Sequence, residues 1–141
     1  MKFVSTIIGL AALSSVTVAT TVEPIFANNF YDNAKQSLNN VACSGGPNGL
    51  VTKGFTTFDS LPTFPNIGGV YAVHNFNSIE CGSCWQLTYK DTGVTIHVTA
   101  VDTIYSGFDI SEAAVKTLTN GKPGSTFNVH SKQVDRSHCE L

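Results

Sequence analysis

The chain has 141 residues, the length of one domain, and carries 8 Lys+Arg against 10 Asp+Glu, a formal net charge of −2. Only 13% of its residues are charged, against about a quarter in ordinary domains. It contains no basic block and Arg136 is its only arginine, which argues against nucleic acid and anionic membranes as partners. A surface rich in Thr, Ser, Asn and Gly instead suits uncharged partners such as polysaccharides.

The N-terminus has the pattern of a secretory signal peptide. A basic start, Met1-Lys2, is followed by the mainly apolar Phe3–Leu13 and by small residues that end in Thr17-Val18-Ala19. The apolar stretch is shorter than the roughly 20 residues of a transmembrane helix. The sequence therefore predicts a signal peptide over residues 1–19, a secreted extracellular protein without a membrane span, and a single mature domain over residues 20–141.

The first half of the predicted domain contains short elements separated by turns. Val22–Phe26 is predicted as an edge strand, since Pro24 limits its pairing, and residues 28–40 form a polar loop. Val41–Cys43 is predicted as a short strand, Thr57–Leu61 as one helical turn and Val70–His74 as a further strand.

The clearest strand pattern lies in Val94–Val101, where apolar residues alternate with Thr95, His97 and Thr99. Trp85–Tyr89 precedes it across a turn, so the two segments predict a hairpin.

The only long helical pattern is Ser111–Thr119, with Asp109 or Ser111 as its N-cap, and Thr126–Val134 is predicted as the last strand. We therefore expect a mainly β protein with six or more short strands, one helix and a small closed barrel.

The four cysteines of a small secreted domain predict two disulfides, for which three connectivities exist. The sequential pairing, Cys43 with Cys81 and Cys84 with Cys139, closes two long loops and is favoured by loop-closure entropy. The spacing leaves the alternative of a Cys81–Cys84 bridge open.

Cys81-Gly82-Ser83-Cys84-Trp85 matches the local signature of papain-like proteases, but those enzymes need a His and an Asn roughly 130–150 residues downstream, and the chain ends before that. A zinc site would need a second close pair of ligands, which the sequence lacks. We therefore predict no catalytic cysteine, no metal and no cofactor, and we expect Trp85 to pack against the barrel.

Two carboxylates are candidates for chemistry. Asp102 ends the second hairpin strand and Asp109 lies seven residues later at the start of the helix, so both are expected at one rim of the barrel. Glycosidases use such a pair as acid and base or nucleophile. The alternative is structural: Asp109 caps the helix and Asp102 binds loop amides.

These residues together resemble the cerato-platanin family of small secreted fungal proteins. The similarity covers essentially the whole mature chain and is most specific in two segments, Phe64–Gly69 and Cys81–Trp85. It also extends to Val22–Phe26, near the start of the predicted mature domain, to Gly107–Asp109 and to Gln133–Asp135.

The resemblance implies a six-stranded double-psi β-barrel with one or two short helices and with disulfides Cys43–Cys81 and Cys84–Cys139. It also implies a relation to the first domain of expansins and to family-45 endoglucanases, in which Asp109 matches the essential aspartate of expansins and Asp102 a second acidic position. Family members are described as binding chitin oligomers, loosening cellulose and eliciting plant defence.

This chain differs from the family at two points. It has Tyr105 where the family often has an arginine, and Asp109 where some members have Asn. The N-terminal strand shows no second catalytic carboxylate, so water activation for hydrolysis lacks its base.

The sequence thus predicts a secreted, cell-wall-associated, non-catalytic protein that binds chitin (N-acetylglucosamine) oligomers or cellulose, with expansin-like wall loosening and elicitor activity. The predicted carbohydrate-binding residues are Asp102, Asp109, Tyr105, Ser44 and Gln133. One alternative is a monomer that self-assembles at interfaces or meets a host receptor through exposed apolar patches. The other is a weak glycoside hydrolase that uses Asp109.

Overall fold

The computed structural model describes Gly9, residues 11–14 and residues 19–141. Most of the predicted signal peptide lies outside these described residues. No helix within them is long and apolar enough to cross a membrane.

Six strands close into one barrel, in the order β1-β5-β2-β4-β3-β6, with β6 returning to β1. Two pairs, β1–β5 and β2–β4, are parallel, and the other pairs are antiparallel. The mainly β, six-stranded barrel is therefore confirmed. The strands are β1 Thr21–Ala27, β2 Ile67–Val70, β3 Cys84–Tyr89, β4 Val94–Thr103, β5 Phe108–Ile110 and β6 Thr126–Val134.

The single α-helix of the described chain, α1, spans Glu112–Thr119 and is accompanied by four short 3-10 turns. Its N-cap is Ser111, whose hydroxyl accepts the Ala114 N–H at 3.0 Å. Asp109, the other predicted cap, belongs to β5 instead. The 3-10 turns are Asn29–Asp32, Leu38–Asn40, Phe58–Ser60 and Arg136–Cys139.

Three strand predictions were wrong. Val22–Phe26 lies in β1 but is not an edge strand, because β1 pairs with both β5 and β6 in the closed barrel. Val41–Cys43 forms bends and turns, because the Cys43 N–H donates to the Val101 carbonyl and the Ala42 N–H to the side chain of Asp102, so no strand partner is left. The predicted strand Val70–His74 instead lies earlier, at Ile67–Val70. The close approach of β5 requires glycine at position 68 of this strand, since a Cβ there would collide with the backbone of β5.

Aromatic side chains fill much of the interior. Trp85, which is 5% exposed, packs with Tyr71 and Phe108 at ring-centroid distances of 5.4 and 5.5 Å, which confirms its structural role. A second aromatic cluster joins Tyr31 and Phe58, under the long connection between β1 and β2. These rings fix the positions of β3 and β5 and the 3-10 turn at Asn29–Asp32.

Both disulfides have the sequential pairing, Cys43–Cys81 and Cys84–Cys139. All four sulfurs are bonded and the four cysteines are fully buried. Cys81 and Cys84 therefore have no thiolate for nucleophilic attack or metal binding.

Candidate functional site

Strand register brings the two candidate carboxylates to one glycine. Gly69 on β2 is paired with Asp102 on β4 and with Asp109 on β5, and both carboxylates are half-buried. Residues paired across neighbouring strands lie on the same face of a sheet. Gly69 is buried and has no side chain, and a Cβ there would lie 3.4 Å from the Tyr31 hydroxyl. We use the name carboxylate strip for Asp102, Gly69 and Asp109 together with Tyr31 and Asn28, whose side chains donate hydrogen bonds to the two carboxylates.

Tyr31 belongs to the carboxylate strip. Its ring is almost fully buried, 3% exposed, and its hydroxyl donates to Oδ2 of Asp102 at 3.3 Å. Burial raises the pKa of Tyr31, and the negative charges of Asp102 and Asp109 raise it further. The hydroxyl therefore stays protonated and acts as a donor between two carboxylates.

Asp102 is held by the backbone as well. Its Oδ1 accepts the N–H of Ala42 at 3.0 Å and the N–H of the following residue, Thr103, at 2.8 Å. The expectation that Asp102 binds loop amides is thus confirmed. With Tyr31 on the other oxygen, Asp102 joins β4 to Tyr31 and Ala42, which are 71 and 60 residues away in sequence.

Asp109 is less completely bound. The Asn28 side-chain amide donates to its Oδ2 at 2.7 Å, and within residues 19–141 its Oδ1 has no hydrogen-bond donor. Burial raises the pKa of Asp109; the hydrogen bond from Asn28 opposes this rise, and the charge of Asp102 adds to it. Asp109 therefore presents a free carboxylate oxygen in a site where its charge is disfavoured.

The remaining predicted site residues lie in three different surroundings. Tyr105 is fully exposed in the connection between β4 and β5. Ser44 is half-buried two residues after Ala42, and its carbonyl accepts the Val51 N–H at 2.9 Å. Gln133 is exposed on β6, where its side-chain amide donates to Glu80 at 2.7 Å. Sugar binding by these three residues stays a prediction.

Three residues of the site were missed from the sequence. Asn28 and Tyr31 fall in the segment expected to be a polar loop, and Gly69 lies just before the strand predicted at Val70–His74. The available signal was the adjacent glycines Gly68-Gly69 before an apolar residue, since a glycine within a strand often marks a close backbone approach.

A cavity of the described chain lies away from the carboxylate strip. It has a volume of about 270 Å³ and lies between α1 and residues 121–125, and neither Asp102 nor Asp109 lines it. Within the described residues, no group of three or more His, Cys, Asp and Glu side chains is arranged to hold a metal ion.

Comparison with known proteins identifies the family. The family model described as Cerato-platanin matches residues 25–141. The chain belongs to the cerato-platanin family. A relative from Arthroderma benhamiae named Allergen Asp f 15 homolog is 48% identical over 114 residues, which cover 81% of this chain and 53% of the relative. The chain thus spans about half the length of that relative.

Solved cerato-platanin structures share the barrel. The crystal structure of cerato-platanin 2 from M. perniciosa superposes with a TM-score of 0.81 at 43% identity, covering 86% of this chain and 100% of that one. The solution structure titled as that of the fungal elicitor Cerato-Platanin gives a TM-score of 0.72 at 33% identity, covering 82% and 95%. The resemblance inferred from the sequence is therefore confirmed.

Proposed function

We propose that this chain is a secreted, non-catalytic protein that binds an uncharged polysaccharide, chitin oligomers above all, at the carboxylate strip. The observation that carries the proposal is the register that places Asp102 and Asp109 on either side of Gly69. Of the two carboxylates, Asp109 keeps an oxygen without a protein donor in the described chain, so it is the acceptor that this arrangement offers to a sugar. Secretion is supported by the signal-peptide pattern and by the two buried disulfides, which are typical of oxidising compartments.

In this proposal Asp109 makes the main polar contact with the sugar. Its free Oδ1 accepts a hydrogen bond from a sugar hydroxyl or from the N–H of an N-acetyl group. Such a bond offsets part of the burial cost of the charge, because a hydrogen bond to a charged group is worth about 1.5–3 kcal/mol. The exposed ring of Tyr105 is proposed to lie against one sugar face.

The partners of Asp102 support binding rather than hydrolysis. Both of its oxygens already accept protein donors, from Ala42, Thr103 and Tyr31. An inverting glycosidase needs its second carboxylate to activate a water molecule. A carboxylate that is used to join three chain segments is poorly suited to that task.

The test is a calorimetric titration of the protein with chitin oligomers. Asp109→Asn is expected to weaken binding at least about tenfold, from the charged hydrogen bond that it loses. Asp91→Asn is the matched control, because it makes the same change at an exposed aspartate outside the strip. Asp91 lies in the hairpin turn before β4, whereas Asp102 lies near the other end of that strand.

Equal affinity of the wild type, Asp109→Asn and Asp102→Asn would reject the site, and no binding by any of them would reject the function. New reducing ends, released from chitin or cellulose by the wild type and lost in Asp109→Asn, would favour the hydrolase instead.

A second candidate is an interaction protein that a host perceives, in the manner of an elicitor. Phe76 and Ile79 are 59% and 75% exposed on the connection between β2 and β3, away from Asp102 and Asp109 in sequence. Support also comes from the solution structure whose title names a fungal elicitor. Elicitation that survives Asp109→Asn but is lost in the double variant Phe76→Ser, Ile79→Ser would favour this function.

A further inference from the structure

Two histidines meet on the outside of the barrel. The rings of His97 on β4 and His138 in the C-terminal turn Arg136–Cys139 stack with a centroid distance of 5.2 Å and an interplanar angle of 19°. The Nε2 atom of His97 is buried and has no hydrogen-bond partner in the described part of the chain. A buried polar atom without a partner has an energetic cost, so the pair is poorly suited to carrying charge.

The same C-terminal turn holds a distant segment in place. The Arg136 guanidinium donates to the carbonyls of Ile79 and Cys81, each at 2.8 Å. This segment begins three residues after Phe76 and includes Ile79, and both of these large apolar side chains are exposed. Cys139, at the end of the turn, is bonded to Cys84 on β3. The turn therefore has one covalent attachment and two sets of non-covalent contacts, one to His97 and one to residues 79–81.

The charged groups around His97 are mainly basic. Lys132 on β6 lies near it and, together with His138, disfavours a charge on the ring. Gln86, which is paired with both His97 and Lys132, is neutral, and β2, the other neighbour of β4, has no ionisable residue.

The acidic groups of the neighbouring elements have other positions or partners. Asp135 caps the C-terminal turn through the Ser137 N–H at 2.9 Å. The hydrogen bonds from Ser137 lower the pKa of Asp135, and the charge of His138 lowers it further, so Asp135 acts on the second histidine of the pair. Glu140 is exposed after the turn, and on α1 Glu112 is paired with Lys116 at 4.0 Å. Among residues 19–141, no acidic side chain therefore offsets the effect of Lys132 on His97.

We propose that the His97–His138 pair is an acid-sensitive latch on the C-terminal turn. Above neutral pH the ring of His97 is uncharged and the turn stays docked on β4. Protonation puts a cation beside Lys132 and a second imidazole, so the turn loosens and Arg136 releases residues 79–81. The Cys84–Cys139 disulfide keeps the end of the chain attached, and the opening is local and reversible.

The direction of the pH effect follows from His97. Burial lowers the pKa of His97, and the charges of His138 and Lys132 lower it further. In the opened turn the imidazole has its ordinary pKa of about 6.5 and binds protons more readily. The closed state is therefore fully favoured above that pH, and loses stability as the pH falls from about 6.5 to the lowered pKa of the closed state.

The test is amide hydrogen exchange of the full protein, followed by NMR at pH 7.5 and pH 5. Exchange protection is compared at the amides of His138 and Leu141, which donate to Asp135 and Arg136 in the turn. After correction for intrinsic rates, their protection is expected to fall at pH 5 by up to about thirtyfold, the limit set by the roughly 1.5 pH units between about 6.5 and 5. The Gly93 amide, bonded to Tyr89 in the hairpin, is the internal reference and should not change.

Three variants separate the latch from a general effect of acid. His97→Gln removes the titrating imidazole and is expected to abolish the pH-dependent loss of protection. His138→Phe keeps an aromatic ring without the second imidazole and is expected to reduce that loss, because the burial of His97 and the charge of Lys132 remain. His74→Gln, at an exposed histidine, should retain the full loss. Unchanged protection of the turn in the wild type at pH 5, or a loss that persists undiminished in His97→Gln, would overturn the proposal.

Discussion

Two regions of the barrel are stabilised by different interactions, one by disulfide bonds and the other by hydrogen bonds to carboxylates. The first, which we call the disulfide knot, is Cys81–Trp85 with its partners Cys43 and Cys139; its cysteines are fully buried and the Trp85 indole N–H donates to Ser83 at 2.9 Å. The second, the carboxylate strip, is held by hydrogen bonds to two half-buried charges.

The difference separates stability from binding. In the knot every sulfur and the indole N–H have partners within the protein, so nothing remains for a ligand. In the strip, Asp102 is bound on both oxygens while Asp109 keeps one free. We therefore expect substitutions in the knot to lower the stability of the fold. In the strip, we expect substitution of Asp102 to lower stability and substitution of Asp109 to weaken binding.

The largest effect is expected in the knot. Replacing Cys84 and Cys139 together by Ala removes a link across a sequence separation of 55 residues, for which loop-closure entropy gives about 4 kcal/mol. Chemical denaturation with fluorescence detection measures this loss. Removal of the Cys43–Cys81 bridge, with its separation of 38 residues, should cost slightly less. A loss below about 1 kcal/mol for either pair would show that the knot is not the main stabilising region.

Asp102→Ala should have the next largest effect, about 2 kcal/mol of unfolding free energy. It leaves the Tyr31 hydroxyl and the N–H groups of Ala42 and Thr103 without their acceptor, and each unsatisfied buried group is costly. Asp102→Asn is the matched control, because its remaining carbonyl oxygen can still accept the two N–H groups. Equal urea denaturation curves for Asp102→Ala and Asp102→Asn would contradict the structural role of Asp102.

Gly69→Ala is expected to cost about 1 kcal/mol, since a tight site accommodates a new methyl group only by shifting its neighbours. The added Cβ would lie 3.0 Å from the Thr103 carbonyl oxygen and 3.4 Å from the Tyr31 hydroxyl. Gly45→Ala is the control: its Cβ would meet only the Phe76 ring at an ordinary 3.7 Å. Thermal melts of the two variants measure the difference, and equal melting temperatures would show that the strip tolerates a side chain.

Asp109→Asn should have the smallest effect on stability, and its sign depends on pH. The folded-state pKa of Asp109 is raised, so the folded protein binds a proton more tightly than the unfolded chain. Its contribution to stability therefore increases as the pH falls from the raised pKa towards the ordinary value near 3.8. Urea denaturation at pH 7 and pH 4 should show the wild type gaining on the variant at pH 4. Parallel stability changes in the two proteins would contradict a raised pKa.

Local patterns in the sequence were sufficient for the hairpin, the helix and the last strand. The alternation in Val94–Val101 predicts β4, and a polar N-cap before a helical apolar pattern predicts α1. Val41–Cys43 shows the limit of such patterns. Its composition is that of a strand, but its amides are used by Asp102 and Val101, which are about sixty residues away.

The sequence by itself determined the family and the barrel, because these depend on the order and spacing of residues along the chain, and it predicted Asp102 and Asp109 as site residues. Only the tertiary structure decided which groups surround them. Gly69, Tyr31 and Asn28 reach the two carboxylates through strand register and through a 3-10 turn that packs on the aromatic core. Register and packing are properties of paired strands rather than of any one segment, so the sequence pattern does not specify them.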